Sequence, residues 1–204
     1  MPNWKTHLEI SNKINKLYGF EGLDLKKFLF GSILPDINNA HVVEKVSVEI
    51  PNEITHFYKK DMPSYIIFYE KYKEQIDAKN PLFVGYVTHL YTDYTWNNAF
   101  YTKIDKDNYP ETDRNTLRKM KWNDFAIFNN QFIENVIDVF MDEEIENVFK
   151  ECQNIEEINV SKEDVNSAVN FLMRKEIYQG DMKFFSIEEL EVLLDETVKR
   201  LSWK

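Results

Sequence analysis

Residues 80–100 read NPLFVGYVTHLYTDYTWNNAF, and this stretch decides the fold. Taken as a helix opened by Asn80-Pro81, its apolar residues Phe83, Val84, Tyr86, Val87, Leu90, Tyr91, Tyr94, Trp96 and Phe100 point in nearly every direction. A helix that is apolar all round belongs at the centre of a bundle. His89 and Asp93 lie at i and i+4, side by side on one face, and Gly85 one turn earlier leaves room for another element to approach. Burying an uncompensated carboxylate is costly, so the pair must satisfy each other and their neighbours, or bind something.

Working outward, residues 3–18 carry Leu8, Ile10, Ile14, Leu17 and Tyr18 at helical spacing, and the glycines of YGFEG end the segment. His7 falls on the inward stripe. LDLKKFLFGSILPD reads as a second helix with Asp24 as N-cap, ended by Pro35, so Asp36 is delivered at the close of a buried segment. An Asn-rich loop with His41 follows. Pro51 then fits the first turn of a short helix carrying His56. Residues 64–76 predict a helix, 103–115 a polar loop, and 124–149 a long amphipathic helix or two joined ones with apolar positions 125, 128, 132, 136, 139 and 140. Two more helices are expected at 162–178 and 186–201, the latter with Ser186 as N-cap and Glu189 three residues on.

Composition agrees with an all-α bundle. The 204 residues contain 15 Phe, 11 Tyr and 4 Trp but only 5 Gly and 6 Pro, which leaves too little turn punctuation for many short strands. The length suits a single helical domain over 1–204, its candidate ligands confined to about 1–105 and the remainder, about 106–204, completing the bundle. A formal charge of −10 disfavours long duplex nucleic acid and anionic bilayers as partners. The lone Cys152 cannot form an internal disulfide, MPNWKTHLEI lacks a signal-peptide pattern, and polar residues interrupt every apolar run before it reaches membrane-span length. A soluble cytoplasmic protein without stable membrane insertion is the expectation. The acidic runs MDEEIEN and IEELEVLLDE read as solvated helix faces.

His7, Asp36, His56, His89 and Asp93 therefore stand out as candidate metal ligands: imidazoles and carboxylates from separate helices are a common way to build a metal site in a helical bundle. These ligand types suit zinc, with manganese or iron open. The same residues also suit a non-catalytic protein with a structural metal site or a buried His/Asp network. A helical phosphohydrolase of the His-Asp type needs an adjacent His-Asp pair, and the chain contains none.

MPNWKTHLEISNKI, FLFGSILPDI, ITHF and FVGYVTHLYTDYTWN, in that order, resemble the bacterial zinc-dependent phospholipase C family, whose all-helical fold is shared with fungal single-strand-specific nucleases. The resemblance covers roughly the first half of the chain. It implies hydrolysis of a phosphoester bond by a metal-activated water at a cluster of two ions, with Asp36, His56, His89 and Asp93 on one ion and His7 with Asp93 on a second. By the same resemblance Asp36 takes the proton of the attacking water and Asp93 helps to orient it. The family's third ion needs a further His and a His-x-x-x-Glu or His-x-x-x-Asp pair, whereas no histidine follows His89 here, so that site is absent or rebuilt from carboxylates such as Asp124. Secreted members also use a processed N-terminal Trp, whereas Trp4 is internal. Asn129 and Asn130 follow Asp124, His41 is a candidate at the mouth of the site, and Trp96 is either core or a pocket wall. A small soluble phosphoester or a zwitterionic phospholipid head group is the expected substrate.

Overall fold

The computed structural model describes residues 3–39, 42–43, 46–107, 109, 112–132, 145–174 and 177–201. His41 and the apolar positions 136, 139 and 140 lie outside the described residues. Ten α-helices account for most of the rest: α1 (Trp4–Tyr18), α2 (Gly22–Gly31), α3 (Asn52–Thr55), α4 (Tyr65–Lys71), α5 (Lys73–Asp77), α6 (Pro81–Asp107), α7 (Arg114–Asn129), α8 (Ile145–Cys152), α9 (Lys162–Met173) and α10 (Ile187–Leu201). Among the described residues no strand forms, and one hydrophobic core runs from Trp4 to Leu201. The fold is an all-α bundle.

The opening stretch is α6, a 27-residue helix whose first twenty residues supply much of the core. Its closest neighbour is α2, and two glycines set that closeness. A Cβ placed on Gly85 would fall 2.2 Å from the Phe28 carbonyl oxygen, and one on Gly31 would fall 2.2 Å from the Leu82 oxygen. Only residues without a side chain let the two backbones pass at this separation. The end of α2 is thereby pressed against the α6 turn that precedes His89.

Several local expectations change. Glu21, not Asp24, is the N-cap of α2, and Asp24 sits in the first turn, where a carboxylate favours the helix dipole. The helix stops at Gly31, before Pro35. Ser32 closes it by donating its hydroxyl to the Leu29 carbonyl at 2.7 Å, and Leu34–Asp36 then form a 3₁₀ turn that accommodates Pro35 among its first residues. Pro51 is the N-cap of α3, and His56 is its C-cap rather than a residue within it. The 64–76 helix is two helices broken at Tyr72, whose hydroxyl reaches Glu157 at 2.7 Å. Leu17, expected to face inward, is 62% exposed.

The polar stretch 103–115 is only partly a loop. α6 continues to Asp107, and α7 begins at Arg114 because the Asp113 side chain accepts from the Asn115 and Thr116 amides at 2.9 and 3.1 Å. α7 thus starts ten residues before the expected helix and ends at Asn129, and α9 ends at Met173 instead of reaching 178. The Ser186 cap is observed, with Ser186 and Glu189 bonding reciprocally at 2.8 and 3.2 Å. No described helix is long and apolar enough to cross a membrane.

Candidate metal centre

Five residues from four parts of the chain meet at one point, and each is at most 2% exposed: His7 on α1, Asp36 on the 3₁₀ turn, His56 at the end of α3, and His89 with Asp93 on α6. Local structure explains their aim. The Ser32 carbonyl, left free at the end of α2, lies 2.8 Å from His89 Nδ1 and accepts its proton. That bond leaves Nε2 with its lone pair turned inward. His56 Nδ1 is held in the same way by the Thr55 hydroxyl at 2.9 Å, and the Thr55 carbonyl is fixed by the Tyr86 hydroxyl at 2.6 Å.

The inward atoms crowd together. His56 Nε2 lies 3.2 Å from His89 Nε2, 3.3 Å from Asp93 Oδ2 and 3.3 Å from Asp36 Oδ1, while His89 Nε2 is 3.4 Å from Asp93 Oδ2. Ligands about 2.0–2.1 Å from a tetrahedral zinc ion stand roughly 3.3–3.4 Å from one another. Asp36, His56 and His89 stand close enough together to hold a cation, with His89 Nε2 somewhat farther, 3.9 Å, from Asp36 Oδ2. The polar bookkeeping agrees: Asp36 Oδ1, both Asp93 oxygens and both His7 ring nitrogens are buried without a hydrogen-bond partner. The carboxylate–imidazole contacts are at ion-pair distance, while His56 Nε2 and His89 Nε2 share a 3.2 Å hydrogen bond.

His7 stacks on His89 with ring centroids 4.1 Å apart and planes 8° from parallel, and its Nε2 lies 3.3 Å from Asp93 Oδ1. Asp93 therefore presents one oxygen to His7 and the other to His56 and His89. Two overlapping donor groups result, His7–His89–Asp93 and Asp36–His56–His89. One imidazole nitrogen binds one ion, so His89 Nε2 can serve only one of them.

The electrostatics follow from burial and these contacts. Burial, helped by the neighbouring His89, lowers the His7 pKa to about 4, which keeps the ring neutral. Burial also disfavours charge on His56, but Asp36 and Asp93 outweigh it and raise that pKa to about 9. Desolvation works against ionised Asp36 and Asp93 too, and the surrounding histidines, His89 foremost, reverse it, holding Asp36 below and Asp93 well below the usual carboxylate range.

Trp4 is a contributor that periodicity did not reveal: its indole N–H donates to Asp36 Oδ2 at 3.0 Å. It also lines a cleft of about 390 Å³ that reaches Asp36 and is walled by Val42, Trp122, Phe171 and Tyr178. Asn38 is another. Its side chain bonds the Val48 and Asn159 carbonyls at 2.9 and 2.7 Å and pins the chain two residues beyond Asp36.

Asp124 is elsewhere. It accepts the Lys183, Phe184 and Phe185 amides at 2.7, 2.7 and 3.2 Å, so both of its oxygens clamp the approach to α10 and neither is free for a metal. Asn129 bonds the Thr6 amide at 3.1 Å and Asn130 pairs with the Tyr178 backbone. Trp96 is core, packed on Phe125 and Phe128, while Tyr94, expected inside, is 37% exposed. Comparison with protein-family models, curated proteins and solved structures finds no match to this chain.

Proposed function

We propose that the protein is a metal-dependent phosphoester hydrolase related to the zinc-dependent phospholipase C family. The observation that carries this reading is the set of buried, mutually close imidazole and carboxylate atoms around Asp93, among which Asp36 Oδ1, both Asp93 oxygens and both His7 nitrogens have no hydrogen-bond partner. Asp36, His56 and His89 would hold one ion with Asp93 beside them, and His7 with Asp93 would contribute to a second. Zinc matches the ligands best, with manganese or iron as substitutes. Bound there, the metal supplies Lewis-acid stabilisation and lowers the pKa of water.

The chain's own residues do the rest. Asp36 borders the cleft, with Trp4 holding its Oδ2 and His56 Nε2 3.3 Å from its Oδ1, so its carboxylate is fixed where water entering by that cleft would meet it. Neutral His7 offers a ring nitrogen without first losing a proton. A second reading, a closed structural site, is favoured by the near-complete burial of all five residues.

Elemental analysis of protein purified without chelator separates the readings. The expected result is about two zinc ions per chain and hydrolysis of simple phosphoesters. His89→Ala and Asp93→Ala should lose metal and thermal stability together, because each leaves buried partners unpaired. A chain that holds no metal after reconstitution with zinc or manganese overturns the hydrolase reading.

A further inference from the structure

A second cleft, of about 460 Å³, is bordered by the α6 residues Asn98, Phe100 and Tyr101 and the α7 residues Arg114 and Arg118. Lys60 closes its rim. Although the whole chain is at −10, this cleft gathers three cations against one lining carboxylate, Asp61, and among the described residues none of the three makes an ion pair. Unneutralised cations around a concave surface on an acidic protein ask for an anion.

The basic line continues inward. Arg114, Arg118 and Lys121 are at i, i+4 and i+7, on one face of α7. Lys121 is 6% exposed, an unusual burial for lysine. Its ammonium donates to Asn97 Oδ1 at 3.0 Å and sits 4.9 Å from the centre of the Phe100 ring, with no ion pair among the described residues. Asn97 is one turn beyond Asp93 on α6 and Phe100 lines the cleft, so Lys121 touches one neighbour of the cluster and one wall of the cleft. Burial lowers its pKa, Arg118 lowers it further, and Asp93 acts in the opposite direction, which places both groups within electrostatic reach.

Lys60 sits in a costly turn. Lys60 and Asp61 both have positive φ, 52° and 63°, in a two-residue turn closed by the Lys59–Met62 bridge. Neither is a glycine, so the conformation is strained and is held by the surrounding structure.

We infer that the groove between α6 and α7, with Lys60, Arg114 and Arg118 lining it and Lys121 packed against its Phe100, recognises an anionic group that the substrate carries beyond its scissile phosphate. The inference rests on the hydrolase reading and sharpens it: the substrate is a small polyanionic phosphate compound. A zwitterionic head group would bring a cationic amine against four cations and is selected against.

The test is isothermal titration of the purified protein, its metal content measured on the same sample, with fructose 1,6-bisphosphate as probe and phosphocholine as zwitterionic counterpart. The expected result is bisphosphate binding at least about tenfold tighter than phosphocholine, weakening steeply with salt. Arg118→Gln and Arg114→Gln, both at exposed positions, should each weaken bisphosphate about tenfold and leave phosphocholine affinity, metal content and melting temperature unchanged. Lys121→Met should weaken bisphosphate as well. Unchanged bisphosphate affinity in the arginine variants, or a preference for phosphocholine, overturns the inference. Arginine-dependent bisphosphate binding in a chain that holds no metal supports the groove and refutes the hydrolase reading instead.

Discussion

Replacing Gly85 by alanine tests how the helix crossing builds the site. The added methyl would stand 2.2 Å from the Phe28 carbonyl oxygen and 2.9 Å from the Gly31 Cα, both backbone atoms of α2 that no rotamer change can move. To regain ordinary contact the two helices must separate by roughly 1 Å, which loosens the tightest packing in the bundle. Overpacking of this kind costs about 1–3 kcal/mol or more, whereas the gain in helix propensity from Gly to Ala is about 1 kcal/mol, so packing wins. At roughly 2–4 °C per kcal/mol for a chain of this size, the melting temperature should fall by several degrees. The same separation draws the Ser32 carbonyl away from His89 Nδ1, a bond of 2.8 Å, so the His89 ring loses its fixed orientation and zinc affinity drops about ten- to a hundredfold. The assays are a thermal melt and a competitive zinc titration on the same preparation. A variant that melts with the wild type and binds zinc equally well refutes the idea that the glycine contact sets the site.

The pH dependence has a direction that metal should reverse. In the metal-free protein the His56 pKa, raised from 6.5 to about 9, gives a stabilisation fully present below 6.5 and lost as pH rises through 9. The His7 pKa, lowered to about 4, gives one present above 6.5 and lost as pH falls through 4, and the lowered Asp36 and Asp93 pKa values add to the loss in acid. On account of these groups, stability should peak near pH 6.5. Zinc must displace the His56 proton, so the zinc-induced rise in melting temperature should grow from pH 6.5 to 9; a rise that shrinks over that range would contradict the ligand role of His56. Asp124→Ala should remove the acceptor of three backbone amides and destabilise the chain by about 2 kcal/mol or more while leaving zinc stoichiometry unchanged, as a melt and an elemental assay would read.

The fold and the site were legible in the sequence to different depths, for physical reasons. An all-round apolar helix admits one placement, so α6 and its glycine-lined approach could be read from residues 80–100 alone. Its His and Asp could be read because buried ionisable groups demand compensation. Helix ends were less legible. The stop of α2 at Gly31 depends on a Ser32 hydroxyl turning back on Leu29, and the early start of α7 depends on an Asp113 cap, choices that periodicity does not record. Trp4 was hidden because an indole partner for a carboxylate 32 residues away leaves no spacing signal. Asp124 was ambiguous for the reverse reason: a buried acid at the edge of an apolar stripe looks the same whether it meets a metal or a row of amides.

The second half of the chain supplies none of the five candidate ligands, yet it sets where two of them stand. Asn3 provides no side-chain cap to α1, and Asn129 at the end of α7 takes that place by accepting the Thr6 amide, immediately before His7. The segment after Asp36 has no regular structure to hold it, and Asn38 ties it to the backbone of Asn159 in both directions, donating to the carbonyl at 2.7 Å and accepting the amide at 3.1 Å. His7 and Asp36 lie on opposite sides of Asp93, 3.3 Å from its Oδ1 in one case and bridged to its Oδ2 through His56 in the other. Both are steadied by long-range hydrogen bonds from residues 129 and 159, whereas His89 and Asp93 share one helix face and His89 is oriented by the Ser32 carbonyl at the end of α2. The four elements that carry the cluster are thus tied both to α2 and to the C-terminal half, so metal affinity at this site should depend on the folding of the whole bundle.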